Sequence, residues 1–115
     1  MAKMKATPRT YAQAAEYLAG RDSVKLGNNT WLEMHAKEGT GYAPFVAVRL
    51  HGTDIVKFWE SGRVTLHTGG YYTVTTKDRI NQFIAGRVLQ KYYQWFFKYA
   101  TANYPVVFVE GMNVA

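Results

Sequence analysis

Residues 45–67 read FVAVRLHGTDIVKFWESGRVTLH. Apolar and polar residues alternate through this stretch with a period of two, the period at which a β-strand presents side chains to its two faces. Gly52 with Thr53, and Ser61 with Gly62, interrupt the alternation with turn chemistry. The stretch therefore reads as three consecutive antiparallel strands over residues 45–51, 55–59 and 63–68. Pro44, which lacks a backbone donor, suits the opening of the first strand. Upstream, Val24 to Leu26, the turn formers Asn28 and Asn29, and the alternating run from Thr30 to Ala36 read as a hairpin, followed by a glycine-bearing loop over residues 37–43. Downstream, Gly69 and Gly70 permit a bulge or turn, and Tyr71 to Thr75 reads as extended.

Sorting the meander by parity yields two unlike faces. One collects Leu32, Met34, Val46, Val48, Leu50, Val56, Phe58, Val64 and Leu66, an apolar set that must be covered. The other collects Trp31, Glu33, His35, Phe45, Arg49, His51, Ile55, Lys57, Trp59, Arg63, Thr65 and His67, and is aromatic and mostly basic. Two short helices are the expected cover. The first, over residues 10–19, has the capping-box spacing of Thr10 and Gln13, the stripe Tyr11, Ala14, Ala15 and Leu18, and Gly20 at its end. The second, over residues 76–85, follows the same spacing in Thr75 and Asp78 and carries Ile80, Phe83 and Ile84 before Gly86. Residues 87–100 fit a helical stripe as well as strands. Their Tyr, Trp, Phe and Val content favours strands, which Tyr104 to Val109 continue past Pro105. The fold class is α+β: one domain over residues 10–115, a twisted antiparallel meander with two short helices on one face. A flexible basic arm over residues 1–9, with Lys3, Lys5 and Arg9, precedes it.

A chain of 115 residues, 48% hydrophobic and 19% charged, has room for one core and is not disordered throughout. No apolar run approaches the length of a membrane helix, and no signal-peptide core follows the basic start, so a cytoplasmic protein with no membrane partner is expected. The lack of cysteine removes disulfides, thiolate metal sites and a thiol nucleophile. Fourteen Lys and Arg against eight Asp and Glu, a formal +6, suit a polyanionic partner. Aromatic residues, at 16%, exceed what so small a core hides.

Flat rings stack on bases while cations neutralise phosphates, which is how open sheets hold single strands. On that chemistry Trp31 and Trp59 are the candidate stacking rings, and Arg49, Lys57, Arg63, Lys77 and Arg79 the candidate phosphate contacts. The competing structural reading is a solvated outer face with the tryptophans packed under loops. Gly69, Gly70, Thr75 and Thr76 form a candidate anion site, because glycines and hydroxyls just ahead of a helix meet unpaired N–H groups and the positive end of the helix dipole. Lys77 and Arg79 would strengthen it; plain capping by Thr75, with Asp78 as compensating charge, is the alternative. His35, His51 and His67 fall on one face, but their wide spacing forms no ligand set, and Ser23 and Ser61 sit at turns without a nucleophile elbow. No metal, cofactor or catalytic residue is nominated.

The segment Leu50 to Phe83, LHGTDIVKFWESGRVTLHTGGYYTVTTKDRINQF, resembles a family of small proteins encoded by bacteriophages and other mobile elements. The residues that carry the resemblance are His51, Thr53, Asp54, Gly69, Gly70, Tyr71, Thr73, Thr75, Thr76, Lys77 and Arg79, with LGNNT at Leu26 to Thr30 and FVEGMNV at Phe108 to Val114 as outlying pieces. The resemblance implies a phage or prophage accessory protein working in the host cytoplasm, and brings no activity with it. Joined to the basic aromatic face, it leads to a non-enzymatic accessory protein that binds nucleic acid, DNA or RNA. The alternative is a protein–protein inhibitor or adaptor that uses the same aromatic surface on a host factor such as a defence nuclease, of the anti-restriction or anti-CRISPR kind. A small hydrolase using His51 and His67 is the third reading. Edge strands near Phe97 or Val107 leave pairing into a homodimer open.

Overall fold

The computed structural model describes residues 3–35 and 43–115. Its elements are α1 (Tyr11–Leu18), β1 (Ser23–Gly27), β2 (Thr30–His35), β3 (Phe45–Leu50), β4 (Thr53–Trp59), β5 (Val64–Leu66), α2 (Val74–Asn81), β6 (Arg87–Lys91), β7 (Gln94–Lys98) and β8 (Val106–Val107). The loop expected over residues 37–43 lies outside the described residues, Ala43 apart. The α+β class holds, with the meander divided into two antiparallel sheets: one of five strands in the order β1-β2-β3-β4-β5, and one of three in the order β6-β7-β8. The run over residues 87–100 forms the hairpin β6–β7, as its composition favours, while the continuation expected over Tyr104 to Val109 is a strand only at Val106–Val107.

Register delivers the apolar face that parity requires. Val48 faces Leu32 and Val56, and Val46 faces Met34 and Phe58. Leu32, Val46, Val48, Val56, Phe58 and Leu66 are fully buried. Helix α1 packs against β2, β3 and β4, while α2 touches both β4 and β6 and so joins the sheets. One hydrophobic cluster runs from Leu18 and Phe58 through Ile80 and Phe83 to Phe97 and Phe108. At the tail, Gly111 N–H donates to the Leu66 carbonyl, Leu66 N–H to Met112 and Val114 N–H to Val64, which satisfies the outer edge of β5.

Four expectations are corrected. Ile55 does not lie on the basic face: Val48 pairs with Val56 but Arg49 with Asp54, and the unpaired Ile55 between them turns into the core. Tyr71 to Thr75 is not extended throughout; hydrogen-bonded turns from Tyr71 N to Thr68 O and from Thr73 N to Tyr71 O lead straight into α2. That helix starts two residues early, with Thr73 as its N-cap accepting from Thr76 N–H, and ends at Asn81 rather than residue 85. Sequence spacing suits either threonine, but starting at Val74 puts Thr76, Arg79 and Ile80 together on the buried side at helical intervals. Asn81 then clamps β6, its Oδ1 accepting from Val88 N at 2.7 Å and its Nδ2 donating to Val88 O at 3.0 Å. Finally, the start segment is anchored: Met4 is buried, and Lys5 N–H donates to the Leu26 carbonyl at 2.8 Å.

Candidate binding surface

On the open face of the five-stranded sheet, register decides which side chains meet. Trp31 lies opposite both Lys25 and Arg49, and Arg49 lies opposite Asp54. Lys25 Nζ stands 6.0 Å and the Arg49 guanidinium carbon 5.8 Å from the Trp31 ring centroid. Arg49 also pairs with Glu33 and donates from Nη1 to the His51 carbonyl at 2.7 Å. Toward the other end, His35 stacks on Phe45 and Phe45 leans on Trp59, with centroids 4.6 Å apart at each step. Lys57 Nζ sits 5.0 Å from the Phe45 centroid, and His35 Nε2 lies 3.8 Å from Asp54 Oδ2.

A hydrogen-bond chain holds the β4–β5 side. Trp59 Nε1 donates to Thr65 Oγ1 at 2.9 Å, and the same hydroxyl is hydrogen-bonded to His67 Nε2 at 3.0 Å. Burial, and then the charge of Lys57, push the His67 pKa down from its ordinary value, against the opposing pull of Glu110 and Asp54. Trp31, Arg49, Lys57 and Trp59 therefore share one face, as parity requires, yet all four are half-buried and engaged: Trp31 with Arg49, Arg49 with Glu33, Lys57 with the Phe45 ring and Trp59 with the Thr65 hydroxyl. Arg63, in the turn before β5, is exposed.

The residues nominated from Gly69 to Arg79 scatter by burial. Gly69 packs under Thr53, and Gly70 N–H donates to Thr68 Oγ1 at 3.1 Å. Thr76 is buried with its N–H on the Thr73 hydroxyl, whereas Thr75 is exposed and makes no side-chain hydrogen bond among the described residues. Lys77 is half-buried. Arg79 is not available to a surface phosphate: only 6% exposed, it donates from Nε to Thr30 Oγ1 at 2.9 Å and from Nη2 to the Asn28 carbonyl at 3.2 Å. It also stands in the last turn of α2, where the dipole favours a cation, not in the first.

The most exposed rings among the described residues, Tyr92, Tyr93 and Tyr104, lie on or beside the three-stranded sheet, together with the exposed cations Arg87 and Lys91. Val88, Trp95, Phe97 and Phe108 are buried on its inner side, where Tyr72 meets Trp95 edge-on at 5.0 Å. On the other side Arg87 pairs with Lys98, Lys91 with Gln94, and Leu89, Phe96 and Val107 form one cross-strand row. Tyr92 and Tyr93 make the β6–β7 turn, both with left-handed backbone (φ 52° and 64°), and are 87% and 99% exposed. Lys91 Nζ lies 5.4 Å from the Tyr92 ring centroid, and Tyr104 is 81% exposed. Between Asp78 and Glu110 the chain contains no carboxylate. That acid-free run was the signal available in the sequence. Its side-chain directions were not, because residues 87–100 satisfy two periodicities at once.

Among the described residues, no three His, Asp or Glu side chains group as metal ligands, and no helix is long and apolar enough to cross a membrane. Fold and surfaces together define a small α+β protein of two antiparallel sheets around one core, whose second sheet is basic, aromatic and free of acid. The chain belongs to the Kyanoviridae Gp96 protein family, a bacteriophage family whose model matches residues 7–115. The phage origin implied by the resemblance is thereby established. No curated protein and no solved structure matches the chain.

Proposed function

We propose that this phage protein is a non-enzymatic accessory protein that binds single-stranded nucleic acid, and that the strand lies on the three-stranded sheet. The observation that carries the proposal is that a segment without a single carboxylate presents exposed Tyr92, Tyr93 and Tyr104 together with exposed Arg87 and Lys91, Lys91 lying against the Tyr92 ring. Exposed phenol rings stack on bases of any sequence, and cations with no acid beside them are free to displace counterions from phosphates. The five-stranded face is the weaker platform, because Glu33 and Asp54 sit on it beside its own cations.

The test is fluorescence anisotropy of a labelled polythymidine strand across a salt series. Tyr92→Ala and Tyr93→Ala are expected to weaken binding by roughly tenfold each. Arg87→Ala with Lys91→Ala is expected to lower the salt slope by about 1.4, two single-strand phosphate contacts' worth. Arg49→Ala with Arg63→Ala is expected to leave binding intact; loss there would return the interface to the five-stranded face. Binding by the unaltered chain that ignores salt and both tyrosines would refute the proposal. The second reading, an inhibitor or adaptor that docks on a host protein, draws on the Leu89, Phe96 and Val107 row, since aliphatic carbons pack on protein rather than stack on bases. Its mark is a partner held after nuclease treatment with shallow salt dependence.

A further inference from the structure

A separate cavity of about 540 Å³ lies between the β3–β4 turn and the loop that leads into α2. Both ends of the segment that begins LHGTDIV and closes TGGYYTVTT reach it, although many residues of chain separate them. Its floor includes Leu50 and Ile55, the latter turned inward by the bulge in β4. His51 and Tyr71, both exposed, bring two flat rings to its lining.

The polar groups around it divide into occupied and spare. Thr68 Oγ1 donates to Glu110 and accepts from Gly70 N–H, and the Thr73 hydroxyl donates to that of Thr76, so those serve the fold. The hydroxyls of Thr53, Thr75 and Tyr71 and the imidazole of His51 make no hydrogen bond among the described residues. Each of the three hydroxyls both donates and accepts. The lining holds no Lys, Arg, Asp or Glu. The walls are built rather than accidental. A Cβ on Gly69 would come within 2.9 Å of Thr53 Cγ2, so the loop rests directly on the β4 wall. His51 holds a left-handed backbone (φ 54°) that its neighbours enforce, its N–H donating to Asn29 O at 2.8 Å and its carbonyl accepting from Arg49.

An aliphatic floor, two flat rings and three hydroxyls that both donate and accept match a flat, neutral heterocycle with mixed donors and acceptors at its edge. The volume is in the range of small-molecule sites, roughly 300–1,000 Å³. We infer that this cavity binds a nucleoside, its base laid on Leu50 and Ile55 with its edge hydrogen-bonded to the hydroxyls of Thr53 and Thr75. The site is independent of the three-stranded sheet.

The test is saturation-transfer NMR of the full chain with adenosine, guanosine, cytidine, uridine and thymidine, and with methyl glucoside as a polyol control, followed by titration of the nucleosides that respond. The expected result is transfer to base protons of at least one nucleoside, with amide shifts confined to residues 50–55 and 68–76. Thr53→Val and Thr75→Val each remove one hydroxyl at constant shape and are expected to weaken binding about three- to tenfold. Thr75 is exposed, so its variant keeps the test sound if Thr53→Val fails to fold. Tyr92→Ala with Tyr93→Ala is expected to leave nucleoside binding unchanged, which separates this site from the strand-binding surface. No transfer from any nucleoside, preference for the glucoside, or binding indifferent to both threonine variants would overturn the inference.

Discussion

Arg79 shows how little a residue type says about its destination. Read along the chain it is a cation beside a threonine-rich helix start; in the fold it is buried and holds the β1–β2 turn through Thr30 and Asn28, with no carboxylate paired to it among the described residues. Arg79→Ala is expected to lower stability by about 1–3 kcal/mol, since the buried Thr30 hydroxyl loses the donor that Arg79 Nε supplies. Arg79→Lys is expected not to restore it, because one ammonium cannot reproduce a planar two-bond fork. Urea unfolding at constant slope checks both, and a near-neutral Arg79→Ala would show that the guanidinium does not hold the turn. His67 makes a pH prediction. Its pKa in the folded chain lies below the ordinary value of 6.5, so on acidification the unfolded chain takes up a proton that the folded chain refuses. Stability is then full above that ordinary value and falls as pH drops through it toward the folded value. His67→Gln, which keeps a hydrogen-bonding partner for Thr65, is expected to flatten the decline in urea midpoint between about pH 7.5 and about pH 5. An unchanged decline would place its origin in other groups.

At the scale of elements, the β6–β7 hairpin departs from its own local preference. Two-residue turns with positive φ at both central positions favour Asn-Gly, and here two tyrosines occupy them with their rings in solvent. Replacing Tyr92-Tyr93 by Asn-Gly is expected to stabilise the protein by about 1–3 kcal/mol through relief of left-handed backbone, while abolishing the stacking contribution to strand binding. Thermal unfolding and anisotropy on one preparation read both effects. A variant that gains nothing in stability would show the tyrosines to be unstrained, and one that binds as before would move the interface away from the tip. Element boundaries were legible where chemistry was singular, as in α1, whose N-cap Thr10 accepts from Gln13 N–H as its spacing requires. They were not legible at α2, where successive threonines offer equivalent caps and burial of Thr76, Arg79 and Ile80 makes the choice.

For the whole molecule, the issue is whether two sheets make one folding unit. Helix α2 contacts β4 and β6, and the hydrophobic cluster is continuous from one sheet to the other. Unfolding is therefore expected to be two-state. Trp31 and Trp59 belong to the first sheet and Trp95 to the second, so variants that keep a single tryptophan report each sheet by fluorescence. Coincident urea midpoints are expected, and a lower midpoint for the Trp95 reporter alone would make the second sheet a separate unit.

Residue order alone determined the five strands of the first sheet, the turns between them, the phage-like segment and, Ile55 apart, the two faces of that sheet, because a period of two and the chemistry of Asn, Gly, Pro and Ser at turns are local properties of the chain. Tertiary structure decided the rest. The bulge that sends Ile55 inward, the pairing of Arg49 with Glu33, the burial of Arg79 and the closing of Leu50 to Thr53 against Tyr71 to Thr76 depend on register and on packing between distant segments. The free energy that selects them is that of burying one continuous core and satisfying its polar groups, and it belongs to no single stretch of sequence.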